Sequence, residues 1–278
     1  MQRMTISQLP PIPVDTARAA EESFGDNHPY IKIGDSLEKI LSEVSIMALN
    51  VVDAELRDPF WFYAFASILQ YWEELTDRQM ANATRTRVDI KYALRLPLFF
   101  HGINPVMLCK FRQELQGNQV SKNVFLQLVD RLHLFVKSQY GFSTDVEQII
   151  AAICTSCRRE LVIEMMSNAI EALATYYPEW LRTVSLPSWF QSYSSRQNLH
   201  KYFRSCRNLE KTFSSVGEDG QSLLDCVENS DNSNLLKLPE IRMLRQEWHS
   251  YFEIEGGQFR LRPANCANCA NRFRSLFS

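Results

Sequence analysis

Apolar residues recur at helical spacing along most of this chain. Residues 35–56 set Ile40, Leu41, Val44, Met47 and Ala48 on one face, behind Asp35 or Ser36 as cap and with Glu38 in the first turn. Residues 59–75 open on Pro59 and hold seven aromatics in 17 positions. Such a face can stack bases or take a hydrophobic ligand, but aromatics dominate core burial, so the segment reads as a core helix. A short helix capped by Thr76 or Asp77 follows. A second run through Val88, Tyr92, Ala93 and Leu96 stops before Pro97. Asn104 and Pro105 then open a third run whose apolar members are Val106, Leu108, Phe111 and Leu115. Three short helices with tight connections form a helix-turn-helix-like arrangement.

The helical period continues beyond them. Residues 121–137 carry Val124, Leu128, Leu132 and Phe135 on one face, and a long run extends from about Asp145 to Tyr177 before Pro178. Over 180–250 further helices are expected, separated by Pro187, a Gly217–Gly220 turn and the polar run Glu228–Asn234. The period changes to two only in YFEIEGGQFRLR, 251–262, where two alternating arms meet at Gly256-Gly257. In that hairpin Phe252 and Ile254 share a face with Phe259 and Leu261, and Glu253 stands opposite Arg260. Residues 1–34, rich in Pro, Asp and Glu, lack a long apolar period and read as a loosely ordered lead-in.

Composition supports a mainly helical fold. Only 9 of 278 residues are glycine, about half the usual share, which argues against a turn-rich β-sandwich and against glycine-rich phosphate loops. No GxGxxG, GxxxxGK[ST] or GxSxG string occurs. The uncharged stretch Pro59–Trp72 has 14 residues, short of the ~20 that span a bilayer. Seven cysteines without a secretory signal suit reduced thiols and a cytoplasmic location.

The formal net charge of -2 conceals an uneven distribution. Arg78, Arg85, Arg87, Lys91, Arg95, Lys110 and Arg112 fall in a window whose single acid is Asp89. Residues 1–58 instead hold five basic and ten acidic residues. A basic block on closely spaced helices suits contacts to phosphates, which dominate affinity for nucleic acid. It equally suits a solvated basic helical face.

The same block carries a family resemblance. LTDRQ (75–79), DIKYALRLPL (89–98) and GINPVMLCKFRQEL (102–115) together resemble the InsH-type N-terminal domain of bacterial DDE-type insertion-sequence transposases. DVEQIIAAI (145–153), RELVIE (159–164), Pro178-Glu179-Trp180, Pro187-Ser188-Trp189 and Leu238-Pro239-Glu240 resemble the start of the catalytic domain and a helical insertion found in one branch of that family. The resemblance implies DNA transposition. Residues 35–116 would be a domain gripping double-stranded DNA at the element's ends, with the seven cations as its contacts. Residues 117–278 would hold a linker, the start of an incomplete RNase H-like domain and the helical insertion with its hairpin. A nucleoid-associated location when DNA is bound follows from the same resemblance.

In a complete member an Asp-Asp-Glu set holds two Mg²⁺ ions, roughly 4 Å apart, that activate the attacking oxygen and stabilise the leaving one. Only the first carboxylate carries over, at Asp145, with Val146 and Glu147 where the family has Ser and Thr. The strands bearing the others would lie beyond residue 278, so the chain is expected to be a truncated form, inactive alone and without a cofactor of its own. Two alternatives stay open. Either a second polypeptide, for instance one made by frameshifting, supplies the missing half, or the chain regulates an intact transposase, as a homo-oligomer or in mixed oligomers. Asp145 also has a plain structural role available, because Thr144 to Glu147 has the form of a capping box.

Two CxxC pairs, Cys154/Cys157 and Cys266/Cys269, could supply four thiolates to Zn²⁺. Their separation of more than 100 residues is far from zinc-ribbon spacing, and the first pair lies on a helical face. The five histidines are scattered, with no HExxH or HxH string.

Overall fold

The computed structural model describes residues 9–25, 27–42, 59–135, 145–193 and 209–262. Among these, twelve α-helices and one two-stranded sheet form, the mainly helical class expected from the spacing of apolar residues. Packing divides the described residues into two units, one running up to Cys157 and one beginning at Arg158. The division falls after Cys157 and not near residue 116, because α7 (Gln119–Phe135) packs on three earlier helices, α2 (Pro29–Ser42), α3 (Phe60–Trp72) and α6 (Pro105–Gly117).

In the first unit α3 is apolar on nearly every side and correspondingly buried, from Phe60 through Gln70 and again at Trp72. Its aromatics are core. Phe60 meets the Phe111 ring edge-on at 5.1 Å, Tyr63 stacks on it at 6.0 Å, and Phe111 in turn approaches Phe125 of α7. Helices α4 (Asp77–Thr86) and α5 (Val88–Ala93) complete the layer beside α6. Thr76 caps α4 in a reciprocal box with Gln79, and Asn104 caps α6 ahead of Pro105.

The expected lead-in is instead part of the core. Helix α1 (Val14–Ser23) buries Thr16 and Ala20, and the Thr16 hydroxyl donates to the Leu96 carbonyl at 2.8 Å. Helix α2 begins at Pro29, six residues before the expected cap, and buries Tyr30, Ile31 and Ile33. Proline starts both segments without disrupting either: Pro13 is the cap residue of α1 and Pro29 the first residue of α2, positions where a missing N–H costs nothing. Gly34 lets α2 lie against α5, since a Cβ there would fall 2.6 Å from the Tyr92 ring. The rest of the helix expected over 35–56 lies outside the described residues from 43 onward.

Helix α8 (Val146–Tyr176) is the long run foreseen before Pro178, and its first twelve residues belong to the first unit. The second unit continues through α9 (Pro178–Val184), α10 (Pro187–Tyr193), α11 (Leu209–Glu228), a 3-10 turn (Leu235–Lys237) and α12 (Pro239–Tyr251). Strands β1 (Phe252–Glu255) and β2 (Gln258–Leu261) then pair antiparallel with Glu253 opposite Arg260 and Ile254 opposite Phe259, the register read from the alternation.

The Gly217–Gly220 turn does not form. Both glycines lie inside α11, where they allow close approach: a Cβ would come within 2.4 Å of Phe259 at Gly217 and 2.0 Å of Trp248 at Gly220. Trp248, fully buried, also donates its indole N–H to the Gly217 carbonyl. Asp219 on the same helix accepts from both Trp189 and Tyr193, fastening α10 to α11.

Candidate nucleic-acid interface

The seven cations of the basic block take different roles in the fold. Arg112 is fully buried on α6 and binds Asp77 through both terminal nitrogens, at 2.8 and 2.7 Å. Asp77 is equally buried and also accepts from Gln70 of α3, so one carboxylate ties three helices together. Its backbone N–H donates to the Cys157 sulfur at 3.4 Å. A bidentate guanidinium is the partner best suited to a carboxylate removed from water. Arg112 therefore serves the core and not the surface.

Arg87 sits between Glu73 and Asp89 and bonds both. Burial alone would lower the affinity of its guanidinium for the proton, but the hydrogen bonds to Asp89 and Glu73 outweigh it and hold the pKa above the ordinary arginine value. Glu73 also accepts the Tyr30 hydroxyl at 2.5 Å, which brings α2 into the group.

Arg95 is buried just past the end of α5, with its nitrogens on the carbonyls of Pro10 and Gly34 and on Glu38. Lys91 is buried too, and its ammonium donates to the Leu98 carbonyl. Burial pushes the Lys91 amine below its usual pKa. The fold thus brings three carboxylates from outside the basic window, Glu38, Glu73 and Asp77, onto its arginines. The single acid inside the window, Asp89, is buried and paired with Arg87.

The remaining three cations are differently placed. Arg85 is exposed in the last turn of α4, and its guanidinium donates to Asn82 Oδ1 at 3.2 Å. Arg78 and Lys110 are half-buried. The connection from α5 to α6 closes over the end of α4: the Ile103 amide donates to the Thr84 hydroxyl, and Gly102 lies against the Ala81 carbonyl. That approach places exposed His101 and Asn104 on the same loop beside Arg85. From Arg78 to Gln113 no described carboxylate reaches the surface. The outcome is a small surface with an exposed cation and exposed polar side chains, to which the segment from Arg78 to Gln113 adds no exposed acid.

Asp145 is placed as a helix-capping residue. Its Oδ1 accepts the Glu147 amide at 2.9 Å ahead of the first turn of α8, while Glu147 pairs with Lys122 of α7. Thr144 lies outside the described residues. Among the described residues no three His, Cys, Asp or Glu side chains gather as metal ligands. Among the described residues, none joins Asp145 in a carboxylate group of the kind that two Mg²⁺ ions need. Cys154 and Cys157 are buried on α8 in the thiol form, and Cys266 and Cys269 lie outside the described residues.

Comparison with known proteins adds one finding. Residues 20–114 match the family model described as Transposase domain (DUF772). The chain is transposase-like. The match begins within α1 and ends within α6, so it takes in the whole basic block with the carboxylates that neutralise most of it. No curated protein and no solved structure matches the chain. No described helix is long and apolar enough to cross a membrane.

Proposed function

We propose that this transposase-like chain binds double-stranded DNA through the surface formed by the end of α4, the 97–104 loop and the start of α6. The observation that carries the reading is the sorting of charge. Arg87, Lys91, Arg95 and Arg112 serve the fold, while Arg85 stands exposed and the single acid of the segment, Asp89, is buried against Arg87. The first turn of α6 also contains no acid, so its positive end is not opposed by a side chain. Contacts of this kind act on phosphates and position the protein without reading sequence. Arg78 and Lys110, half-buried on α4 and α6, are secondary contacts in this proposal.

The chain is proposed as the DNA-gripping component of transposition, of the DDE type that its motifs resemble. Strand-transfer chemistry is not assigned to its described residues, since Asp145 caps a helix and no carboxylate group for two metals accompanies it.

The test is fluorescence anisotropy on a labelled duplex across a salt series. With three phosphate contacts, affinity should fall about 40-fold between about 50 and 200 mM salt, and Arg85→Ala should reduce the slope of log K against log salt by about 1. Arg182→Ala, which removes an exposed cation of the second unit, should leave it unchanged. Salt-independent binding, or an unaltered slope for Arg85→Ala, would overturn the proposal.

A further inference from the structure

The loop beside Arg85 presents an aromatic ring to solvent. Phe99 is 82% exposed, more than any other large apolar side chain among the described residues. Single exposed apolar residues are ordinary on protein surfaces, and exposure alone means nothing. The way this one is held separates it from that background.

Several devices pin the backbone around it. The Phe100 amide donates to the Pro97 carbonyl, closing a turn through Leu98 and Phe99. Buried Lys91 donates its ammonium to the Leu98 carbonyl, directly before the ring. Ile103 is buried, and its amide bonds the Thr84 hydroxyl. Gly102 takes a φ of 101° with the Ala81 carbonyl 2.7 Å from where a Cβ would stand. A rigid loop with its flanking residues anchored nonetheless holds its phenyl ring out in water, next to exposed His101 and on the loop that covers the end of α4 at Arg85. A ring held this way loses little conformational entropy when a flat partner arrives.

We infer that Phe99 stacks on a nucleic-acid base, so that the surface binds DNA containing unpaired or unstacked bases more tightly than a fully paired duplex. This inference rests on the DNA-binding reading and names the form of DNA preferred. Exposed Arg85, whose Cβ lies against Gly102 of the same loop, favours a polyanion over an apolar protein partner. Every base offers a π face, so stacking is tolerant of sequence. A ring wedged at an opened step combines with phosphate contacts from Arg85 on the adjacent backbone. No hydrogen-bonding partner is required of Phe99, which suits a phenyl ring better than it would a tyrosine.

The experiment compares three oligonucleotides of equal length with the full chain: a paired duplex, the same duplex with a two-base bulge, and one single strand. Wild type should bind the bulged duplex about tenfold more tightly than the paired one. Phe99→Ala should abolish that preference while leaving the salt-dependent affinity for paired duplex in place. Phe99→Trp should restore the preference and Phe99→Leu should not, because leucine keeps apolar bulk without the π face. A 2-aminopurine in the bulge should change its fluorescence on binding wild type and not on binding Phe99→Ala. Equal affinities of wild type for bulged and paired duplex, or an unchanged preference in Phe99→Ala, would overturn the inference while duplex binding stands. Loss of binding to all three DNAs in wild type would overturn both readings. If Phe99→Ala instead alters the oligomeric state in sedimentation and leaves the DNA preference unchanged, the ring serves a protein contact and the inference fails.

Discussion

Asp77 and Arg112 show how much a single buried charge pair decides. Neither side chain is exposed, and Gln70 supplies a further donor to the same carboxylate. Removing one partner leaves the other charged and desolvated, so Arg112→Met should lower the unfolding free energy by about 3–5 kcal/mol in urea denaturation. Asp77→Leu with Arg112→Met should be less damaging than either single change, since no orphan charge remains. Tyr92 offers a pH-dependent counterpart. Burial, then its 2.6 Å bond to Asp35, raises its pKa from 10.0 to about 12. A phenol that keeps its proton longer when folded contributes stability that is complete below pH 10 and lost as pH climbs to 12. The stability advantage of wild type over Tyr92→Phe should therefore narrow across that interval in denaturation curves. Lys91, whose lowered pKa acts in the opposite direction, titrates in both proteins and drops out of the difference.

Two helices end in the same unusual way. At the end of α3 the Leu75 amide bonds the Gln70 carbonyl and that of Glu74 bonds Tyr71; at the end of α5 Leu96 bonds Lys91 and Arg95 bonds Tyr92. Each is a Schellman closure whose left-handed position, normally glycine, holds a charged residue, Glu74 at φ 53° and Arg95 at φ 52°. Each is followed by a buried leucine. Glycine scarcity is thus partly a matter of helix ends that use other residues. The two positions should respond oppositely to glycine. Glu74→Gly relieves strain at an exposed site and should raise stability by about 0.5–1 kcal/mol. Arg95→Gly severs contacts to Pro10, Gly34 and Glu38 and should lower it by about 2 kcal/mol or more, both read from thermal unfolding. Helices and the hairpin were legible because spacing and turn chemistry are local. Gly217 and Gly220 misled because a glycine in a sequence does not reveal whether it turns the chain or admits a neighbour, and Trp248 lies far along the chain. The lead-in misled similarly: it is rich in proline, yet Pro13 and Pro29 stand at helix starts.

Over the whole molecule, charge was the least legible property. A sequence window counts only local acids, whereas the fold recruits Glu38, Glu73 and Asp77 to its arginines, leaving Arg85 as the exposed member. The sequence window names seven cations, but which of them stay exposed could not be told before those partners were known. The matched region, 20–114, is likewise not a self-sufficient body. Thr16 bonds Leu96, Pro10 bonds Arg95, and Cys157 receives the Asp77 amide, all from outside it. A fragment of residues 20–114 should therefore unfold at a lower temperature than one of 1–157, as calorimetry can measure. The Cys157 contact also has a timing. Asp77 and Cys157 are 80 residues apart, so at about 5–20 residues per second of synthesis the start of α4 waits about 4–16 s for its last partner to leave the ribosome. During the early part of that interval the aromatic helix α3 is complete while α6 and α7, which cover it, are still being made.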